Sequence, residues 1–208
     1  MDNIELLGHS GVKIIGEKII YIDPYKLVNT INDADYIFIT HNHYDHYSPE
    51  DILKVKKDSS VIIITSDLKE AILDLGFSEN NVVIVEPEKF YEVGGIKVST
   101  TYSYNKEKAF HPKSNNWVGY IINSNNMSYY IAGDTDYTDE LKAVKCDIAF
   151  VPVGGTYTMD YKEAANLVNV IKPKVTIPIH YGSIVGTLED AKMFKELVDL
   201  DIKCEIMM

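Results

Sequence analysis

The sequence predicts an α/β (α+β) protein, a four-layer αββα sandwich in one domain that spans residues 1–208. Short β-rich segments separated by turns open the chain, and continuous apolar runs then alternate with helical patterns. The second half repeats both features in the same order. Because each half would form one sheet with helices on one face, we expect two sheets packed face to face with the helices outside.

The first half contains three β-rich segments followed by a β-α-β-α-β alternation. Asp23-Pro24 interrupts the early strands, because Pro breaks a strand pattern. Ser48-Pro49 is a typical helix start, with Ser as the N-cap and Pro in the first turn, and Gly76 closes the next helix. The expected strands are Ile4–Leu7, Val12–Ile15, Ile19–Ile22, Tyr36–Thr40, Val61–Thr65 and Val82–Val85, and the expected helices are 49–57 and Asp67–Leu75.

The second half returns to antiparallel strands and ends in β/α alternation. Gly94-Gly95 and Asn125-Asn126 mark two tight turns, whereas the polar loop 105–116 is too long for a hairpin and has the length of a functional loop. The expected strands are Phe90–Val93, Ile96–Tyr102, Trp117–Asn123, Ser128–Ala132, Ile148–Val151, Val175–Ile179 and Ile202–Ile206, and the expected helices are Asp139–Val144, Tyr161–Ile171 and Leu188–Leu200.

Charge and composition restrict the classes of partner. The chain has 31 Asp and Glu against 20 Lys and Arg, a net charge of −11, which disfavours binding to a long nucleic-acid backbone. The two cysteines imply no disulfide framework. No apolar run reaches the roughly 18 residues of a membrane span, and the first residues lack the features of a signal peptide. We therefore expect a cytoplasmic protein without a membrane partner, and a homo-oligomer stays open.

Three of the six histidines lie in the segment T-H-N-H-Y-D-H, directly after a buried strand. Side chains two apart in an extended segment point the same way, so His41 and His43 can share one metal ion. Asp45 and His46 follow in the turn and can reach a second ion. Imidazole nitrogens and carboxylate oxygens suit Zn²⁺, and also Mn²⁺ and other transition metals.

Two further strands end in residues of the same ligand type. Asp134 follows the strand before A-G-D-T, and His180 follows the strand before P-I-H-Y-G. An Asp in a turn more often caps a helix, and a lone His more often has a structural role. Three strands that each end in a metal-ligand residue nevertheless predict one site, because α/β proteins form their sites at strand carboxyl ends.

These motifs resemble the metallo-β-lactamase superfamily, whose signature is H-x-H-x-D-H. Together with G-H-S near the start and Y-I-D-P, they are similar to the branch that contains L-ascorbate-6-phosphate lactonase and related small metal-dependent hydrolases. The resemblance covers nearly the whole chain and implies the αββα fold and two divalent metal ions, with Zn²⁺ favoured and Mn²⁺ an alternative. It assigns His41 and His43 to the first ion, Asp45, His46 and His180 to the second, and a bridging role to Asp134.

The chain departs from this family pattern at one ligand of the first ion. The family has a further His after the strand that corresponds to Ile96–Tyr102, where this chain reads T-Y-S-Y-N. Either His111, in the loop that follows, replaces that ligand, or the first metal site is impaired. We favour the replacement, because Pro112 restricts the loop beside Trp117.

The resemblance implies hydrolysis of a small anionic substrate, phosphorylated or lactone-type, by metal-activated water. Asp45 would orient the nucleophile and take its proton, and His9 would assist catalysis beside the metal ligands. Lys113, Asn105, Tyr157 and Tyr181 are the expected substrate contacts. Two alternatives remain: a ribonuclease or phosphodiesterase that acts on short RNA, and a non-catalytic metal-binding protein with an impaired first site.

Overall fold

The computed structural model describes residues 3–207, which form two compact units that divide between Glu86 and Pro87. Each unit consists of one mixed sheet with helices. The division falls where the β/α alternation of the first half gives way to antiparallel strands. Within the described residues, no helix is both long enough and apolar enough to cross a membrane.

The first unit contains a six-stranded sheet in sequential order, from β1 to β6. The first three strands pair antiparallel, and the remaining strands pair parallel. The strands are β1 (Ile4–Gly8), β2 (Gly11–Ile14), β3 (Ile20–Ile22), β4 (Tyr36–Phe38), β5 (Val61–Ile64) and β6 (Val82–Ile84). The helices are α1 (Pro49–Val55), α2 (Lys69–Asp74) and the 3₁₀ helices Ser66–Leu68 and Glu79–Asn81.

Apolar residues of this sheet pack against α1 and α2. Ile37 and Ile62 of the central strands and Ile52 of α1 belong to one buried cluster. Ser48 caps α1 as expected, because its hydroxyl accepts the backbone N–H of Asp51. The buried parallel strands bring the polar segment that follows β4 to the carboxyl edge of the sheet.

The second unit contains a seven-stranded sheet in the order β13-β12-β11-β10-β9-β8-β7. Strands β7 to β10 pair antiparallel, and β10 to β13 pair parallel. The strands are β7 (Phe90–Val93), β8 (Ile96–Tyr102), β9 (Val118–Ser124), β10 (Met127–Ile131), β11 (Ile148–Pro152), β12 (Val175–Ile179) and β13 (Lys203–Cys204). The helices are α3 (Tyr161–Ile171), α4 (Leu188–Leu197) and the 3₁₀ helices Lys113–Asn115 and Glu140–Ala143.

Helices α3 and α4 cover the parallel part of the second sheet. Leu167 and Val168 of α3 and Phe194 of α4 are buried in one cluster with residues of β10 and β11. Asp160 begins α3 with a capping box, in which its carboxylate accepts two backbone N–H groups and Glu163 bonds back to the backbone of Asp160.

The structure corrects three of the expected elements. The helix expected near Asp139–Val144 is a single 3₁₀ turn, and the helix expected to reach Leu200 ends at Leu197. Val198, the C-cap of α4, already has extended backbone angles, with φ −73° and ψ 134°. The last strand, expected at Ile202–Ile206, is reduced to the two residues of β13.

Candidate metal-ligand clusters

In the first unit, the segment after β4 forms a tight turn of metal-ligand residues. The backbone N–H groups of His46 and Tyr47 both donate to the carbonyl of His43, at 3.0 and 2.7 Å. His41, Asp45 and His46 are buried, and His43 is half-buried. The turn therefore holds its side chains close together at the carboxyl edge of the sheet.

His41 and His43 face each other through their ring nitrogens. Nε2 of His41 lies 3.1 Å from Nδ1 of His43. Two ligands bound about 2.0–2.1 Å from a tetrahedral zinc ion lie roughly 3.3–3.4 Å apart. The spacing of the two rings is therefore close to that of two ligands on one ion, and shared ligation by His41 and His43 stays a prediction.

Asp45 lies between two other imidazole rings of the same unit. Its Oδ2 atom is 3.4 Å from Nε2 of His9 and 3.6 Å from Nε2 of His46. His9 is buried at the end of β1 with a positive φ of 50°, a conformation that residues other than glycine adopt infrequently. His9 thus belongs to the same cluster as the H-x-H-x-D-H turn.

Asp23 organises this cluster, a role that its place in the Asp23-Pro24 strand break does not predict. Its buried carboxylate accepts the N–H and the hydroxyl of Thr40, at 2.8 and 2.7 Å, and lies 2.7 Å from Nδ1 of His46. The Thr40 hydroxyl gives its proton to Asp23, so it accepts the Nδ1–H of His41 at 3.0 Å. Neutral His41 and His46 rings therefore carry their protons on Nδ1 and their lone pairs on Nε2.

The signal for Asp23 was present in Y-I-D-P, which supported the family resemblance but was given no role. Local sequence patterns cannot predict a contact between residue 23 and residue 46, because the two residues are far apart in the chain. The parallel pairing of β3 with β4 makes this connection, because it brings the ends of the two strands together.

In the second unit, Asp134 lies between His111 and His180. Its Oδ2 atom is 3.0 Å from Nε2 of His180 and 3.3 Å from Nε2 of His111, and all three side chains are buried. His180 follows β12 with a positive φ of 60°. His111 lies in the long loop, and the fold of the second unit thus places it close to the strand-end residues Asp134 and His180.

The predicted substrate contacts are engaged with protein groups. The ammonium of Lys113 pairs with Glu140 at 2.6 Å and lies over the rings of Tyr102 and Tyr104. The hydroxyl of Tyr181 donates to the carbonyl of Met207.

The other two predicted contacts lie close to the His111 loop. The ring of Tyr157 packs edge-on against Phe110, at a centroid distance of 4.6 Å. Asn105 is buried and hydrogen-bonded to His111. A substrate role for these residues stays a prediction.

The donor atoms of both clusters fit a divalent metal ion. All six histidines of the chain belong to the two clusters, each with a carboxylate among them. Several rings turn the lone pair of one nitrogen inward while the other nitrogen bonds to the protein, as is usual for metal-ligating histidines. The residues present therefore suit Zn²⁺ or another transition metal better than Mg²⁺ or Ca²⁺, which prefer oxygen ligands.

Mixed sheets with histidine and carboxylate residues after their strands are typical of metallo-β-lactamase-like proteins. A family model described as "Beta-lactamase superfamily domain" matches residues 3–180. UPF0173 metal-dependent hydrolases of Thermoplasma acidophilum and Saccharolobus solfataricus are each 31% identical, over 95% of this chain and 92% of theirs. The chain therefore belongs to the beta-lactamase superfamily, in the group of UPF0173 metal-dependent hydrolases.

Solved structures confirm the predicted fold class. A candidate metal-dependent hydrolase of Parabacteroides distasonis superimposes with a TM-score of 0.84 at 29% identity, over 98% of this chain and 91% of that protein. Igni18, a metallo hydrolase of Ignicoccus hospitalis, shares the fold, with a TM-score of 0.75 at 21% identity over 98% and 94% of the chains. The protein is thus a mixed α/β protein with two sheets and the metallo-β-lactamase fold.

Proposed function

We propose that the protein hydrolyses a small phosphorylated or lactone-type substrate in the cytoplasm, and that its two clusters ligate two divalent metal ions, Zn²⁺ or alternatively Mn²⁺. The observation that supports this most strongly is the placement of every histidine of the chain in a cluster with an aspartate. The donors in our proposal are His41, His43, Asp45, His46, His111, Asp134 and His180.

These residues would hold divalent ions that, when bound, would supply hydroxide at neutral pH, because such ions lower the pKa of water to about 7. The protein contributes fixed donors and a proton acceptor. Asp45 is the proposed acceptor, because its buried carboxylate is within 3.6 Å of two imidazole rings and can hold a proton among them. His9 contacts the same oxygen and would keep that carboxylate oriented.

The net charge of the chain and the ion pairs of the lysines in the His111 loop both support a small substrate. The net charge of −11 opposes a long polyanion. Lys108 and Lys113, on the loop that carries His111, already pair with Asp136 and Glu140. These lysines are therefore already paired, and metal ions held by the two clusters would supply the positive charge that attracts an anionic substrate.

The test is a hydrolysis assay with a panel of small phosphodiesters, phosphomonoesters and sugar lactones. Protein treated with a chelator is compared with protein reloaded with Zn²⁺ or Mn²⁺. Asp45→Asn should lower kcat at least 100-fold, whereas the control Asp33→Asn should retain activity, because Asp33 contacts Lys13 and Tyr21 instead of a histidine. Turnover that persists without metal, or that is unchanged in Asp45→Asn, would contradict the proposal.

A further inference from the structure

Asn105 makes four hydrogen bonds with its side-chain amide, two on each side. Its Oδ1 atom lies 3.1 Å from the backbone N of His111 and 2.9 Å from Nδ1 of the same residue. Its Nδ2 atom lies 2.8 Å from the carbonyl oxygen of Tyr157 and 3.0 Å from Oδ1 of Asp136. The residue is buried, so these bonds form away from bulk water.

These contacts determine which way the amide points. The backbone N–H of His111 can only donate, so the atom that faces it must be the amide oxygen. The carbonyl of Tyr157 can only accept, so the amide nitrogen must lie on the other side. Because the oxygen faces Nδ1 of His111, that nitrogen must carry a proton. The lone pair of the neutral ring then lies on Nε2, which is 3.3 Å from Oδ2 of Asp134.

A second layer of charged groups holds Asn105 in this orientation. Asp136 is buried and accepts the backbone N–H of Lys106 at 2.9 Å and the ammonium of Lys108 at 2.6 Å. Lys108 also donates to the carbonyl of Thr158 at 2.7 Å. Rotation of the Asn105 amide would turn its oxygen towards the Asp136 carboxylate, so the electrostatics of the network oppose rotation.

The backbone reinforces the same pairing. The N–H of Asn105 donates to the carbonyl of His111 at 2.8 Å, so the two residues are joined by three hydrogen bonds. The ring of Trp117 lies edge-on to the His111 ring, at a centroid distance of 5.7 Å. These contacts thus fix both the position of His111 in the loop and the orientation of its ring.

We propose that Asn105 is a positioning residue that keeps His111 in the Nδ1–H tautomer and thereby presents Nε2 as a metal ligand. The sequence suggested Asn105 as a substrate contact, but the structure engages all of its amide hydrogen-bonding atoms within the protein. Metal ligation by Nε2 of His111 rests on the proposed function, whereas the Nδ1–H tautomer of His111 does not depend on it.

The first test is the tautomer of His111 in the metal-free protein. Long-range ¹H–¹⁵N correlation spectra at pH 8 distinguish a proton on Nδ1 from one on Nε2, and His111→Ala assigns the signals. We expect Nδ1–H in the wild type and loss of this single tautomer in Asn105→Ala, which has no acceptor oxygen. The exposed loop variant Asn115→Ala is the control and should match the wild type.

A neutral His111 ring that carries its proton on Nε2 in the wild type would overturn the proposal by itself, whatever the variants show. An unchanged His111 tautomer in folded Asn105→Ala would overturn it as well.

The second test is the zinc dissociation constant, measured by chelator competition on the same variants. Loss of a hydrogen-bond partner of a metal-ligating histidine typically weakens metal binding about 10- to 100-fold. We expect that loss for Asn105→Ala and none for Asn115→Ala. If Asn105→Ala changes the tautomer but both it and His111→Ala bind zinc like the wild type, the positioning role stands and metal ligation by His111 fails.

Discussion

At the scale of single residues, Gly154 provides the space that His180 occupies. A Cβ atom at Gly154 would lie 2.5 Å from the carbonyl oxygen of His180 and 3.2 Å from its Nδ1. It would also lie 2.6 Å from a methyl carbon of Val185. His180 already has a positive φ, so its backbone has little freedom to move away.

Gly154→Ala should therefore displace His180 and lower the free energy of unfolding by about 1–3 kcal/mol, the usual cost of overpacking. Zinc binding should weaken as well, because the His180 ring would move. Urea denaturation and chelator competition measure the two effects. Thr156→Ala, an exposed neighbour in the same loop, should change neither. Wild-type zinc affinity in Gly154→Ala would contradict the packing argument.

Asp23 offers a second test at the scale of single residues. Its carboxylate orients the ring of His46, but Asp23 is not itself a proposed metal ligand. In Asp23→Asn, the amide oxygen can keep the bond to the N–H of Thr40. The amide nitrogen then faces Nδ1 of His46 and favours the wrong tautomer, with the proton on Nε2.

We expect zinc to bind about 10- to 100-fold more weakly to Asp23→Asn. Isothermal titration with zinc gives the affinity, and circular dichroism shows whether the variant is folded. A folded Asp23→Asn protein with wild-type affinity would refute the role of Asp23.

At the scale of elements, the loop that carries His111 is tied to a neighbouring 3₁₀ helix by Lys113 and Glu140. The hydrogen bond from Lys113 lowers the pKa of Glu140 from 4.5 to about 2. A carboxyl group with a lowered folded-state pKa stabilises the protein above its unfolded-state pKa. That stabilisation is lost as the pH falls from about 5 towards 2.

Glu140→Gln should therefore reduce the dependence of unfolding free energy on pH in the range from about 5 to 2. The wild type should lose more stability than the variant over this range, because only the wild type must protonate the paired carboxylate. Urea denaturation at pH 5 and pH 3 measures the difference. An exposed control, Glu196→Gln, should follow the wild type. Parallel curves for the wild type and Glu140→Gln would mean that the ion pair adds no stability.

Local sequence patterns predict the strands well, because strand formation depends on neighbouring residues, and they place the candidate ligands at strand ends. The run Tyr36–Thr40 is apolar enough to be read as a buried strand, and its abrupt end at His41 indicates a site. By contrast, the roles of Asp23 and Asn105 depend on bonds to residues that lie farther along the chain. The end of α4 was missed because the extended backbone at Val198 has no local stop signal such as Gly or Pro.

At the scale of the whole molecule, the family model matches residues 3–180 and so includes residues of both compact units. A metal that binds the native state alone stabilises it by mass action, by about 2.7 kcal/mol when its concentration is 100 times the dissociation constant. Removal of metal should therefore lower the melting temperature, and added Zn²⁺ should restore it. Calorimetry with and without chelator measures this change, and identical melting curves would argue against tight binding.

The proposed function requires that the two clusters bind two metal ions per chain. Elemental analysis of wild-type protein and His111→Ala, both purified without a histidine tag, measures this stoichiometry. We predict close to two ions per chain in the wild type and close to one in the variant. One ion per chain in both proteins would contradict the binuclear proposal, and a hydrolase with a single metal ion would then be the better description.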